Sequence, residues 1–243
     1  MMTILVVGAT GKTGRLLVEQ LLGKNHKVRV IVRSSHNLPG EVLENPNTKV
    51  IMASVLDLTD EEMAEHVKDC DAVVSCLGHV LNLKGIFGKP RKLCTDATRR
   101  LCNAIEANRP PKATKFILMN TVGIQNSDLR ERRAWFERGL LKLLHHTLPP
   151  HRDNETAAEH LRSVVGKENM HVEWCSVRPD SLIDAEVSQY DIEESPVTGI
   201  FTGRPTSRFN VAQFMTELID NAELWSTWKF RMPVIMNSND GIQ

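Results

Sequence analysis

Tyrosine is nearly missing from this chain: its 243 residues hold one, Tyr190. Any chemistry that needs a phenol rests on that position. Charge of one sign is missing too. The 30 Lys and Arg balance 30 Asp and Glu, so no net field draws the chain toward nucleic acid or an anionic membrane. Long hydrophobic runs are absent. The opening apolar stretch stops at Gly8, far short of the ~20 residues a membrane-spanning helix needs. No basic, apolar, small-residue leader opens the sequence, so no signal peptide is expected and a cytoplasmic location is. The five cysteines, Cys70, Cys76, Cys94, Cys102 and Cys175, form no C-x-x-C pair and are odd in number. Reduced, buried thiols are the expectation. Internal repeats, low-complexity tracts and a clear linker are also lacking, and the length suits one α/β domain spanning 1–243.

What is present alternates. Apolar or β-branched runs at 4–8, 27–33, 49–55, 71–78 and 115–121 read as strands. Helical spacing appears over 12–22, 60–68 and 93–107 between them. Thr59-x-x-Glu62 is a capping box for the second of these. After 121 the rhythm breaks. A charge-rich piece and an amphipathic stretch over 134–148 come first. A helix over 153–165, a strand over 171–177 and a long segment over 178–209 follow. Asn210-x-x-Gln213 is expected to cap a last helix, and 229–236 to form a last strand. Such βαβ alternation implies a parallel sheet with helices on both faces. Ligands then bind beyond the carboxyl ends of the strands, which singles out Gly8, Arg33, Asp57, Gly78 and Thr121.

The loop Gly8-Ala9-Thr10-Gly11-Lys12-Thr13-Gly14 joins the first strand to the first helix. Dinucleotide binding needs glycine three times there: for the turn, for close approach of backbone to a pyrophosphate, and for packing of helix on strand. The helix N-terminus then presents free N–H groups to the phosphates. The spacing is G-x-x-G-x-x-G. It does not match the triphosphate loop G-x-x-x-x-G-K-[ST]. The second strand ends Val32-Arg33-Ser34-Ser35 without the carboxylate that holds the ribose hydroxyls of NAD. Arg33 can grip a 2′-phosphate bidentately, and Lys12 adds a second cation. NADP(H) is therefore the expected cofactor; the plainer alternative is that Arg33 is a solvated strand end.

GATGKTG at residue 8, VRVIVR ending in Arg33, Asp57-Leu58, SCLG at 75–78 and SVRPDSLID at 176–184 together resemble the atypical short-chain dehydrogenase/reductases. The nearest branch is the NmrA-like and flavin/biliverdin-reductase-like group. The resemblance covers nearly the whole chain. It implies a Rossmann-type doubly wound parallel sheet with a small C-terminal substrate lobe, built mainly from 122–150 and 178–209. It also implies that Asp57 and Leu58 border the adenine and that Cys76, Leu77 and Gly78 run along the cofactor. Thr121 stands where relatives carry a catalytic Ser, and Arg178-Pro179 would approach the nicotinamide. One departure matters. The Tyr-x-x-x-Lys proton relay is replaced by His151-x-x-x-Glu155, and Tyr190, followed by Asp191-Ile192-Glu193-Glu194, does not restore it. His151 is a candidate substitute acid; otherwise this stretch simply starts a helix, with Asp153 or Asn154 as its cap.

Three further features are weighed. His145, His146, His151, Asp153, Glu155 and His160 match no metal-ligand spacing, so no metal is expected. The 134–148 stretch is expected to pack on the body of the fold, with Trp135 and Phe136 lining a pocket near the nicotinamide; docking to a membrane or partner is the alternative. The loop 79–92 should hang over the cofactor, with Lys84, Lys89 and Arg91 available to an anionic substrate. The expected function is an NADP(H)-dependent oxidoreductase that reduces a small conjugated acceptor, flavin or quinone in type, with Thr121 and His151 as catalytic candidates. A conjugated acceptor tolerates the missing Tyr better than a ketone does. The alternative is a non-catalytic NADP(H) redox sensor that binds a protein partner. An epimerase of the sugar-nucleotide type fits less well, because the chain is short and the Tyr is gone.

Overall fold

The computed structural model describes residues 1–79, 88–129, 131, 133–199 and 202–238. Residues 80–87 of the loop expected over the cofactor, Lys84 among them, lie outside the described residues. The first half of the chain follows the expected alternation. Strands β1 (Thr3–Val7), β2 (Lys27–Val32), β3 (Thr48–Met52), β4 (Ala72–Ser75) and β5 (Thr114–Met119) are joined through α1 (Lys12–Gly23), α2 (Gly40–Glu44), α3 (Asp60–Val67) and α4 (Leu93–Asn108). The second half holds α5 (Trp135–Thr147), α6 (Pro149–His160) running into a π turn (Leu161–Val165), and β6 (Val172–Pro179). It ends with β7 (Ser181–Ile183), β8 (Tyr190–Glu193), β9 (Pro205–Ser207), α7 (Arg208–Asp220), α8 (Ala222–Trp228) and β10 (Val234–Asn237).

Eight strands form one sheet in the order β3-β2-β1-β4-β5-β6-β10-β8. All neighbours are parallel except β10 and β8. β7 and β9 pair separately. β1 explains why its sequence is apolar at every position. Ile4 and Val6 face a core with Leu17, Leu21, Val211 and Phe214, whereas Leu5 and Val7 face another with Met63, Leu101, Phe116 and Leu161. Each buried Leu or Ile of this kind contributes about 1.5–3 kcal/mol through removal of apolar surface from water. Helices on both faces make that burial possible and leave the carboxyl ends of the strands at one edge.

Several expectations need correction. The last long helix is capped by Ser207, whose hydroxyl accepts from Phe209 N at 3.2 Å. Asn210 lies inside it, fully buried, and ties Ser188 to Asn237 through side-chain hydrogen bonds of 2.9 Å each. α6 starts at Pro149, so neither Asp153 nor Asn154 is its cap. Proline fits that first turn because its missing N–H is not needed there. Part of the expected C-terminal lobe, β8, is the edge strand of the main sheet. α5 does form and buries Leu141 and Glu137. Yet Trp135 and Phe136 do not line the cleft beside the glycine loop: they are 78% and 49% exposed, and Leu143 on the same helix is 57% exposed. The Thr59–Glu62 capping box is present, with Thr59 N donating to Glu62 at 2.7 Å and Glu62 N to Thr59 Oγ1 at 3.2 Å. Among the described residues no helix is long and apolar enough to cross a membrane.

Candidate functional site

The glycine loop is dictated by sterics. Gly8 has φ +78°, and a Cβ there would stand 2.5 Å from the carbonyl carbon and oxygen of Cys76. Only glycine takes that conformation at no cost. A Cβ on Gly14 would stand 2.2 Å from Gly8 O, so the third glycine lets α1 press against the end of β1. Gly11 N donates to Gly8 O at 3.0 Å and closes the turn. No side chain caps α1, and no acidic residue lies in its first turn. The first N–H groups of the helix and its positive dipole end thus remain available to an anion, which is what a pyrophosphate requires.

A cleft of about 950 Å³ opens from this loop. Gly8, Thr10, Gly11, Lys12, Arg33, Asp57, Cys76, Leu77 and Gly78 all line it. Three other expected cofactor residues do not. Thr13 is buried in the first turn of α1, Gly14 packs on Gly8, and Leu58 packs into the core under α3. The strand order arranges the lining. Asp57 follows β3, Arg33 follows β2, the glycine loop follows β1, and Cys76 to Gly78 follow β4. These lie in sequence across the sheet, as the parts of an extended dinucleotide do. Arg33 is exposed and makes no ion pair or side-chain hydrogen bond among the described residues. Lys12 is already engaged: its ammonium pairs with Asp184, which also receives Arg208, and this holds the Asp184 carboxyl below its usual range. The Lys89 and Pro90 end of the 79–92 loop also lines the cleft.

Thr121 follows β5, one strand beyond β4. Its hydroxyl accepts from Gly123 N at 3.2 Å. A Cβ on Gly123 would come within 3.8 Å of both Thr121 and His151 Cε1, so the two catalytic candidates meet at this glycine. His151 is buried, with Nε2 3.5 Å from Glu155 Oε1; His145 bonds the other oxygen of Glu155. Burial pushes the Glu155 carboxyl up, but the two histidines outweigh it and hold it below its usual range. Of the histidine-rich set, His145 and His151 thus meet at Glu155. Asp153 points away from it, to His79 Nε2 at 2.8 Å. His79, Cys94 and Asp153 have their polar atoms within 4.8 Å of one another. Each Asp153 oxygen already receives two donors, so the group is a hydrogen-bonded one. This pair was missed in the sequence because its members lie 74 residues apart.

Other expectations change role. Arg178 does not line the cleft. Its guanidinium is fully buried and donates to Glu131 at 2.6 Å, Met232 O at 2.7 Å, Glu194 O at 3.1 Å and Ile124 O at 3.2 Å. It ties β6 to three loops instead. Tyr190 donates to Glu217 at 2.6 Å, and burial followed by that carboxylate raises its pKa. It stands on the edge strand, away from the cleft. All five cysteines are buried and unpaired; burial pushes Cys76 up to about 12 and Cys70 up to about 11. Their thiols are poor nucleophiles. A second cavity of about 590 Å³, around Lys115 and Trp225, lies at the amino ends of the strands, opposite the glycine loop.

Comparison with known proteins agrees with this geometry. The family profile described as NAD(P)H-binding matches residues 8–222. A chloroplastic divinyl chlorophyllide a 8-vinyl-reductase of Cucumis sativus is 28% identical over 139 residues, 54% of this chain and 32% of that protein. The chain thus spans about a third of that relative's length. An oxidoreductase from Lactococcus lactis superposes with a TM-score of 0.69 at 20% identity, over 98% of this chain and 91% of the other. A short-chain dehydrogenase/reductase from Veillonella parvula, solved with NADP, gives 0.70 at 15% identity over 98% and 95%. The solved structures carry the Rossmann fold alone; the family profile, which matches most of the chain, shows that the chain belongs to the NAD(P)H-binding family.

Proposed function

We propose that the protein is an NADPH-dependent reductase of a small conjugated acceptor of the flavin or quinone type. Arg33 carries the cofactor preference. It is an exposed guanidinium at the end of β2, beside the cleft, with no carboxylate at the strand end to repel a 2′-phosphate. The backbone of Gly8 to Lys12 would hold the pyrophosphate, Asp57 the adenine, and Cys76 to Gly78 the ribose nearer the reacting end. A bound dihydronicotinamide supplies the hydride. Thr121, one strand farther along, would orient the acceptor through its hydroxyl, and His151 would shape the same wall. A flavin or quinone can take its proton from an acid other than a Tyr, so the missing Tyr-x-x-x-Lys relay is tolerable. The similarity to the cucumber vinyl-reductase supports the same class.

A second reading is favoured by one observation. The exposed Trp135, Phe136 and Leu143 on α5 suit a partner surface, as a non-catalytic NADP(H) sensor would need. NADPH oxidation against a panel of flavins, quinones and aldehydes separates the two. Turnover of a flavin or quinone above the rate without protein is the expected result. Tight NADPH binding with no turnover across the panel leaves the sensor. Thr121→Val and His151→Ala are compared by kcat/KM, which reports transition-state stabilisation. If both equal the wild type, neither residue acts in the reaction.

A further inference from the structure

Asp153 is fully buried on α6, yet it collects four hydrogen bonds. Oδ2 accepts from Cys94 N at 2.7 Å and lies 2.8 Å from His79 Nε2; Oδ1 accepts from Thr95 Oγ1 at 2.6 Å and Thr95 N at 3.0 Å. The two amides belong to the first turn of α4, which has no side-chain cap of its own. Asp153 therefore caps a neighbouring helix and sits at its positive dipole end. Backbone amides can only donate, and one reaches each carboxylate oxygen, so both oxygens are placed as acceptors; an acceptor facing the imidazole favours a proton on the nitrogen it meets. The proton shared with His79 belongs to Nε2. Nδ1 is the nitrogen left to act, in a ring that lines the cofactor cleft.

The position is as informative as the pairing. His79 follows Gly78 at the end of β4, between the glycine loop after β1 and Thr121 after β5. A dinucleotide laid along that order brings its reacting end to β4 and β5. We infer that His79 is the proton donor of the reductase, positioned by Asp153; the inference rests on the reductase reading above. As hydride reaches one atom of the acceptor, the imidazolium gives its Nδ1 proton to the acceptor's oxygen or nitrogen. The ring is left neutral with its proton on Nε2, the tautomer Asp153 selects. Solvent restores the Nδ1 proton, so one proton is consumed for each NADPH oxidised. The other candidates are less suited. Tyr190 is bound to Glu217, and His151 Nε2 faces the Glu155 carboxylate at 3.5 Å, whose other oxygen His145 already bonds. Among the described residues the titratable groups grouped with the ring are Asp153 on α6 and Cys94 at the head of α4, its thiol kept neutral by burial and then by Asp153; Lys89 lines the same cleft.

Nitrogen-15 NMR of the histidine side chains tests the donor without turnover. Neutral His79 is expected as the Nε2–H tautomer, with Asp153→Asn mixing the two tautomers and saturating NADP⁺ moving the Nδ1 resonance. In turnover assays His79→Asn and His79→Gln are expected to lose about 100-fold or more in kcat/KM, the usual scale for a general acid. They should also lose the alkaline limb of the wild-type pH profile. NADPH binding followed by fluorescence separates the failures. If NADPH does not bind, or binds without any acceptor being reduced, the reductase reading falls and takes this role with it. If acceptors are reduced while His79 is an Nδ1–H tautomer, or both variants keep the wild-type rate and pH limb, the donor assignment alone is overturned. A loss of the limb in His151→Ala, with His79→Asn unchanged, would move the role to His151.

Discussion

At the scale of single residues, Arg33 and the glycines were legible because their demands are local. A positive φ at Gly8 and the 2.2 Å approach to Gly8 O at Gly14 follow from the turn itself. Arg33 faces the cleft because β2 ends there. Its removal is expected to cost charge-assisted hydrogen bonds worth about 1.5–3 kcal/mol, roughly tenfold or more in affinity. Fluorescence titration of Arg33→Ala should show that loss for NADPH and little change for NADH. Equal affinity of the wild type for both cofactors would sink the NADP preference. Arg178 and His79 were not legible, since their partners Glu131 and Asp153 are 47 and 74 residues away. Sequence spacing carries no information about where such a side chain turns.

Glu155 gives a pH prediction at the same scale. Its folded pKa lies below the unfolded value, because the histidines outweigh burial. A depressed carboxylate adds stability above its unfolded pKa, and that stability is lost as pH falls through the folded value. Glu155→Gln should therefore be less stable than wild type near neutrality, by on the order of 1 kcal/mol. The gap should close below about pH 4, within the ordinary carboxylate range. Urea midpoints measured from pH 3 to pH 7 check this; a gap that stays constant across the range would mean that Glu155 acts by shape alone.

At the scale of elements, ends written within one segment were readable and ends completed from elsewhere were not. Thr59 and Glu62 cap α3 three residues apart, so the pattern is visible in the sequence. α4 borrows its cap from Asp153 on another helix, and no local pattern marks it. α2 and α8 have five and seven residues, too few to show a period. The Arg178–Glu131 pair shows what such distant ties are worth. Both side chains are fully buried, and Arg133 lies 3.8 Å from the second Glu131 oxygen. Glu131→Gln leaves two buried cations without their carboxylate, so a loss of about 3–5 kcal/mol is expected. The double variant Glu131→Met with Arg178→Met should recover part of it, because removing both partners of a buried pair costs less than removing one. Chemical denaturation of the single and double variants measures this. A double variant no better than the single would show that the carbonyl contacts of Arg178 dominate.

At the scale of the whole molecule, strand order turns a set of loop ends into one binding line. The alternation in the sequence implied a parallel sheet, but not the order β3-β2-β1-β4-β5-β6-β10-β8 or the antiparallel edge strand. That order puts Asp57, Arg33, the glycine loop, Gly78 and Thr121 in succession along one side of the sheet. The cavity around Lys115 belongs to the other end. The two ends can be told apart by linkage. A ligand that binds only the folded chain stabilises it by about 2.7 kcal/mol at a hundredfold excess over its Kd. For a chain of this size each kcal/mol raises Tm by roughly 2–4 °C. NADPH at that excess should therefore raise Tm by roughly 5–10 °C, and NADH at the same concentration by less. Arg33→Ala should abolish the difference between the two cofactors, whereas Lys112→Ala, at the opposite cavity, should leave it intact. A shift lost in Lys112→Ala and kept in Arg33→Ala would move the dinucleotide to the wrong end of the sheet and overturn the cleft assignment.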